Sequence, residues 1–162
     1  MSGAAMDRGG RDAAASAAEP ASAAPPEAAA PALVVIDTNI VLDLFVFDDA
    51  AARPLRAALE GGTQRWLATA AMRVELARVL DYPQIAPRRA FYGLSVDDVL
   101  ARFDRHAQLR PPAAKAPFTC ADPDDQGFID LAVAHRARLL SKDKAVRAMR
   151  KRLTGLGVEL WP

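Results

Sequence analysis

Short apolar runs alternate along most of the chain with longer segments in which apolar residues recur at helical spacing. The first run, residues 33–36 (Leu-Val-Val-Ile), is continuous and rich in β-branched side chains. This pattern is typical of a strand that is buried on both faces of a parallel sheet. Four further short runs are predicted to be strands: 65–68, 118–120, 139–141 and 158–161.

Helices are predicted between these strands, and two of them carry clear start signals. Thr69 precedes an apolar stripe on residues 70–80, and Ser95 precedes residues 96–107, so both are expected to be N-caps. Because strands and helices alternate, the sequence predicts an α/β fold, a single three-layer domain with a mainly parallel central sheet and helices on both faces. The other predicted helices are 40–47, 51–60, 122–135 and 143–153, with residues 83–94 predicted to be irregular.

The first 31 residues do not share this pattern. They hold 13 Ala and 4 Pro but no aromatic residue and no Leu, Ile or Val. Such a segment cannot bury enough apolar surface to offset the entropy lost on ordering. We expect residues 1–31 to be disordered and residues 32–162 to form the domain. The segment also lacks the Leu/Val-rich core of a secretory signal, and its acids outnumber its bases, unlike a transit peptide.

Composition excludes several classes of protein. The formal net charge of +1 excludes a strongly basic nucleic-acid coat protein, although not a local basic patch. One cysteine and two histidines are too few for a disulfide framework or for a zinc site built from those residues. No apolar run approaches the roughly 18 residues that would cross a membrane. We therefore expect a cytoplasmic protein with no membrane partner.

Acidic residues follow several of the predicted strands. Asp37 comes directly after the first strand, Asp143 follows a later one, and an acidic cluster at 122–125 follows another. Glu75 lies within a helix between apolar neighbours, so its carboxylate is expected to point toward the sheet. Since ligand sites in such sheets lie outside the carboxyl ends of the strands, these acids are expected to meet there. Each of the aspartates alone would more ordinarily be a helix cap or a turn residue, and Glu75 alone a solvated or salt-bridged helix residue.

Carboxylates brought to one edge of a sheet repel one another. Two unit charges about 5 Å apart at an effective dielectric near 20 repel by about 3 kcal/mol, so a bound cation is needed between them. Oxygen ligands without His or Cys favour Mg²⁺ or Mn²⁺ over zinc. Such an ion can activate a water as a nucleophile for phosphodiester hydrolysis.

The same residues resemble a known family. Residues 34–39 (Val-Val-Ile-Asp-Thr-Asn) resemble the opening strand and Asp-Thr-Asn signature of PIN-domain proteins. The resemblance continues through Glu75, Asp-Pro-Asp-Asp at 122–125 and Ser-Lys-Asp-Lys at 141–144, where the family typically has Ser/Thr-x-Asp. It covers residues 33–162, and the acidic run at 122–125 is similar to that of a subgroup described as toxins.

The resemblance implies a Mg²⁺- or Mn²⁺-dependent ribonuclease, often the toxin of a toxin–antitoxin pair, with a cognate antitoxin as partner. The implied catalytic and metal-binding residues are Asp37, Glu75, Asp125 and Asp143. Thr38, Asn39 and Ser141 are expected to support them by orienting a carboxylate, a water or a phosphate. The register of the third acid stays open, because Asp122 or Asp124 could be the ligand in place of Asp125.

The densest basic stretch flanks Asp143. Lys142, Lys144, Arg147 and Lys151 are the candidate RNA-binding residues, and the last three are expected to share one face of a single helix. That face would follow a phosphate backbone beside the cleavage site, or it would simply be a solvated helix surface. The apolar helix at 40–47 would serve either a homodimer or the core.

Two other functions are compatible with the pattern. A non-catalytic PIN-like module would bind nucleic acid or a protein without cleaving it. A phosphatase of the haloacid-dehalogenase type would use Asp-x-Asp after the first strand, but position 39 is Asn, so the second carboxylate is missing.

Overall fold

A five-stranded sheet in which all neighbouring strands are parallel forms the centre of the molecule. The computed structural model describes residues 30–162, so the expected disorder of residues 1–31 falls almost wholly outside the described residues. The sheet order is β3-β2-β1-β4-β5. The strands are β1 (Ala32–Ile36), β2 (Gln64–Ala68), β3 (Ala107–Leu109), β4 (Arg138–Leu140) and β5 (Leu160–Trp161).

The strand order changes direction at β1. The chain runs outward from β1 to β2 and β3 on one side, and then crosses to β4 and β5 on the other. Val34 of β1 pairs with Trp66 of β2 and with Arg138 of β4. A crevice forms at such a switch point, outside the carboxyl ends of the strands. Here it opens between the residues that follow β1 and β4.

Helices pack against this sheet and complete a three-layer α/β domain, which confirms the predicted fold class. Within residues 30–162, no helix combines the length and apolar composition that crossing a bilayer requires. The helices are α1 (Thr38–Phe45), α2 (Arg53–Gly61), α3 (Ala70–Val79), α4 (Ala86–Phe91), α5 (Val96–His106), α6 (Gln126–His135), α7 (Lys144–Arg147) and α8 (Arg150–Gly155), with short 3₁₀ turns at Ala50–Ala52 and Pro123–Asp125.

The core explains why the first apolar run is continuous. Val34 and Val35 of β1 are both fully buried, as expected for the central strand of a sheet covered on both faces. Trp66 of β2 lies edge-on to Phe103 of α5, with ring centroids 4.9 Å apart. The apolar residues of α1 are also buried within this chain, so they serve the core, and they lend no support to the alternative of a homodimer face.

Three sequence predictions of secondary structure are wrong. No strand forms at 118–120, and β3 takes the outer position in the sheet instead. The hydrophobic pattern of β3 is weak because Gln108 and Leu109 are exposed at the sheet edge. Helix α4 lies within the segment predicted to be irregular. The single helix expected at 143–153 is divided into α7 and α8. The division occurs because the amide of Met149 bonds to the carbonyl of Val146, three residues back, which tightens the turn.

Helix α4 is held in place mainly by arginine contacts, since none of its side chains is fully buried. The Arg89 guanidinium donates to the carbonyl oxygens of Leu80 (3.1 Å) and Leu94 (2.9 Å) and to the Asp81 carboxylate (3.2 Å). The Arg88 guanidinium lies 3.8 Å from the ring centroid of Phe47. Arg89 therefore closes the whole turn between α3 and α5.

Replacing Arg89 with Met should lower the free energy of unfolding by about 1–3 kcal/mol, because two carbonyl groups lose their donor while the apolar stem remains. Urea unfolding measures the change. The matched control is Arg105→Met, at an exposed position on α5, where the effect should stay within about 0.5 kcal/mol. Equal effects at the two positions would contradict the assignment.

Candidate metal centre

Asp37 stands at the carboxyl end of the central strand, where its carboxylate makes three contacts. One oxygen, Oδ1, accepts from the backbone N–H of Asn39 at 2.8 Å and of Ile40 at 3.4 Å, and so caps α1. The other, Oδ2, accepts from the Ser141 hydroxyl at 2.5 Å. Only 3% of the residue is exposed. Because all three donors hold it, its orientation is fixed before any ligand arrives.

Ser141 connects the ends of the two central strands. It follows β4 and is fully buried, and its hydroxyl oxygen accepts the backbone N–H of Asp143 at 3.1 Å while donating to Asp37. Asp143 in turn caps α7 by accepting from the N–H of Ala145 at 2.8 Å. This chain of hydrogen bonds brings Asp143 to the same end of the sheet as Asp37.

Glu75 reaches the site from α3. Thr69 caps this helix directly after β2, which starts the helix at the carboxyl end of the sheet. The Thr38 hydroxyl donates to Glu75 Oε2 at 3.3 Å. Asp37, Glu75 and Asp125 together line a cavity of about 270 Å³.

Asp125 ends the short 3₁₀ turn before α6, and its side chain meets the Asp143 carboxylate instead of a backbone donor. Its side chain makes no capping hydrogen bond to α6, and its Oδ2 is buried without a hydrogen-bond partner among the described residues. The residue as a whole is 9% exposed. A buried polar atom without a partner is rare in proteins and calls for an explanation such as an ion.

Asp125, which lines the cavity, also belongs to a second group of acids. Asp122, Asp125 and Asp143 each offer an oxygen, and these oxygens lie within 4.8 Å of one another. Asp122 also caps the 3₁₀ turn by accepting the N–H of Asp124 at 3.0 Å. Asp122 and Asp125 therefore lie together with Asp143, whereas Asp124 is exposed and acts on the site through its charge, which adds to burial in raising the pKa of Glu75.

Burial and neighbouring negative charges change the pKa values of the acids at this site. Burial raises the pKa of Asp125 to about 7, together with the neighbouring charges of Asp143, Asp122 and Asp37. Burial also raises the pKa of Asp37, against the opposing hydrogen bond from Ser141. The pKa of Glu75 is raised by burial as well, against the hydrogen bond from Thr38. The carboxylates therefore repel one another unless a proton or a cation reduces their charge.

The donor set fits a hard divalent cation. The three-residue cluster consists of carboxylates and includes no His or Cys, which is the chemistry that Mg²⁺ and Mn²⁺ prefer. The cluster also includes the acid whose Oδ2 is buried without a hydrogen-bond partner. A cation there would relieve both the missing contact and the mutual repulsion.

Several residues of the cavity were not anticipated from the sequence. Tyr82, Gln84 and Ile85 line its wall, and they belong to the turn that Arg89 holds. No periodicity marks that turn in the sequence, and its position beside the acids follows from long-range packing alone.

The basic candidates lie beside the site but do not form the predicted surface. Lys142 pairs with the Asp43 carboxylate of α1. Lys144 and Arg147 are exposed on α7, and Lys151 is exposed on α8. Because the chain turns between these two helices, the expectation that Lys151 shares one continuous helical face with the other two is wrong.

Comparison with known proteins gives one family and one related fold. A family model described as PIN domain matches residues 33–145, a range that contains all four predicted ligands. Among solved structures, the chain is similar to VapBC2 from Rickettsia felis, crystallised bound to a DNA fragment from their promoter. The TM-score is 0.53 at 15% identity, and the similarity covers 80% of this chain and 99% of that chain. At this identity the structure supports the fold alone. No curated protein matches the sequence.

In the absence of metal, the free energy of unfolding should fall as the pH rises from about 4 to about 7. Over this interval the folded protein keeps on Asp125, with its pKa of about 7, a proton that the unfolded chain loses near the ordinary value of 3.8. Asp125→Asn should flatten this decline, as measured by urea unfolding in EDTA between pH 4.5 and 7.5.

The comparison of the two proteins isolates Asp125. Burial lowers the pKa of His106, and this shift makes the free energy of unfolding rise with pH in both proteins. An unchanged slope in Asp125→Asn would show that Asp125 titrates normally.

Proposed function

Since this chain belongs to the PIN domain family, we propose that it is a divalent-metal-dependent endoribonuclease that hydrolyses the phosphodiester bonds of RNA. One observation carries the proposal: Asp125 is buried at a cavity that it shares with Asp37 and Glu75, and its Oδ2 has no partner among the described residues. A buried carboxylate oxygen without a partner is costly, and a bound cation would supply that partner.

The residues proposed to hold Mg²⁺ or Mn²⁺ are Asp37, Glu75, Asp125 and Asp143, with Asp122 as a further ligand. When bound, such an ion activates water for attack on phosphorus and neutralises charge on the phosphate. Burial and the crowding of carboxylates raise the pKa of Asp125, and the same crowding makes binding of a cation favourable.

The supporting residues act on the orientation of the carboxylates. Ser141 and the amides that begin α1 hold Asp37 from two sides. Thr38 holds Glu75 across the cavity. Asn39 is exposed at the cavity wall, where its side-chain amide is available to donate to a phosphate oxygen. These contacts fix the geometry of the site before the substrate binds.

We further propose that the protein acts in the cytoplasm as the toxin of a toxin–antitoxin pair, with a cognate antitoxin as its protein partner. The similarity of fold to VapBC2, a complex bound to a fragment of its own promoter, supports this proposal. Lys144 and Arg147 are proposed to contact the RNA backbone next to Asp143, with Lys142 and Lys151 at the margins.

Asp37→Asn should lower the rate of Mn²⁺-dependent cleavage of single-stranded RNA by on the order of 100-fold or more, since even outer contacts of metal ligands contribute 10- to 100-fold. Folding should be retained, because Asn is as good an N-cap as Asp. The matched control is Asp97→Asn, an exposed acid in the first turn of α5. Equal rates for Asp37→Asn and the unaltered protein, or cleavage that persists in EDTA, would contradict the proposal.

Lys144→Gln with Arg147→Gln should weaken RNA binding and reduce its dependence on salt. If each side chain neutralises one phosphate of a single strand, the slope of log Kobs against log salt should fall by about 1.4 in magnitude. Binding of a 12-residue oligouridine is measured in the Asp37→Asn background to prevent cleavage. The control pair is Arg65→Gln with Arg136→Gln, near the amino ends of β2 and β4. The assignment is wrong if both pairs change the slope equally.

A further inference from the structure

A long irregular segment leads into the acidic cluster. Residues 110–122 connect β3 to the 3₁₀ turn that carries Asp125, and they form no helix or strand. Irregular segments of this length inside a compact domain are uncommon and are often functional. The segment ends at Asp122, one of the three acids whose oxygens lie together. The position of that carboxylate therefore depends on what holds the segment.

Two side chains of α6 hold it. Gln126 Oε1 accepts the backbone N–H of Cys120 at 2.7 Å, and Gln126 Nε2 donates to the carbonyl of Phe118 at 3.2 Å. Asp130 Oδ1 accepts the backbone N–H of Ala116 at 2.8 Å. We call the pair of Gln126 and Asp130 the α6 bracket.

The two members of the bracket also bind each other. Gln126 Nε2 donates to Asp130 Oδ1 at 2.8 Å, across one turn of the helix. Both side chains are only partly exposed. The bracket thus satisfies backbone groups at alternate residues of the segment, as a neighbouring strand would do in a sheet. These bonds take the place of strand pairing for residues 118–120, which have the composition of a strand and yet join no sheet.

We propose that Gln126 and Asp130 are positioning residues, which fix the segment 116–122 before a cation binds so that Asp122 stands beside Asp125 and Asp143. The inference rests on the proposed metal centre. Without the bracket, the segment would lose conformational entropy when the ion binds. This loss would oppose binding, so the affinity for the ion would fall. Neither residue contacts the ion in this account.

Reversal of the hydrogen-bond polarity tests the inference. In Gln126→Glu, the bond to Cys120 can remain, but a carboxylate oxygen replaces the donor that faces Phe118 and Asp130. In the double variant Gln126→Glu with Asp130→Asn, the Asn amide nitrogen can donate to the new Glu, but the bond from Ala116 is then lost, because Asp130 Oδ1 is the single atom that accepts both bonds. The double variant has the same formal charge as the unaltered protein, which makes it the matched control.

Gln126→Glu should weaken Mn²⁺ binding by about 10- to 100-fold in calorimetry, the usual effect of losing a contact that orients a ligand. The added negative charge alone would strengthen binding, so the two explanations predict opposite signs. Amide hydrogen exchange at Ala116 and Cys120 should accelerate at least about tenfold in the same variant. The double variant restores the formal charge but not the bonds to Ala116 and Phe118, so Mn²⁺ binding should stay weaker than in the unaltered protein and exchange at Ala116 should stay fast.

A third variant separates the ligand from its support. Asp122→Asn should weaken Mn²⁺ binding but leave exchange at Ala116 unchanged, because it removes the carboxylate and keeps the bracket. The inference is overturned if Gln126→Glu binds Mn²⁺ as well as or better than the unaltered protein, or if exchange in the segment does not respond. If the unaltered protein binds no Mn²⁺, the proposed metal centre is wrong, and so is the proposed role of the bracket. If only the bracket variants lose binding, the metal centre and the role of the bracket are both supported.

Discussion

Repulsion among carboxylates at one end of a parallel sheet is the constraint on which this structure depends. Two such charges about 5 Å apart repel by about 3 kcal/mol at an effective dielectric near 20, and here several acids share a cavity and a cluster. Burial and, after it, this crowding raise the pKa of Asp125 to about 7. The remainder of the fold keeps these groups in place against their mutual repulsion.

The same carboxylates also start helices. Asp37 caps α1, Asp122 caps the 3₁₀ turn, and Asp143 caps α7. A carboxylate has about four lone-pair sites, so a cap bond leaves capacity for an ion, and the two roles do not exclude each other. Asp125 is different because it caps nothing and keeps a buried oxygen unpaired. It is therefore the residue that most clearly distinguishes a cation site from a set of ordinary caps.

Polar side chains hold two segments beside the site. Arg89 closes the turn that forms one wall of the cavity, and Gln126 with Asp130 secures the segment that carries Asp122. Both arrangements satisfy backbone groups that belong to no sheet or helix, as buried or half-buried backbone requires. Directional bonds of this kind restrict the position of a segment more tightly than apolar contact does, which suits a site that must hold several charges at defined distances.

The sequence by itself determined the central strands, most helix starts and the α/β class, because hydrophobic periodicity and N-caps are local signals and β1 is buried on both faces. It also indicated Asp37 and Asp143, since a residue that follows a parallel strand must lie at the ligand-binding edge. Tertiary structure alone decided that Asp122 and Asp125 both lie in the cluster with Asp143, and that 107–109 forms the outer strand in place of 118–120. These outcomes depend on contacts between residues far apart in the chain, such as the bond of Ala116 to Asp130, and no local pattern specifies which partner satisfies a backbone group.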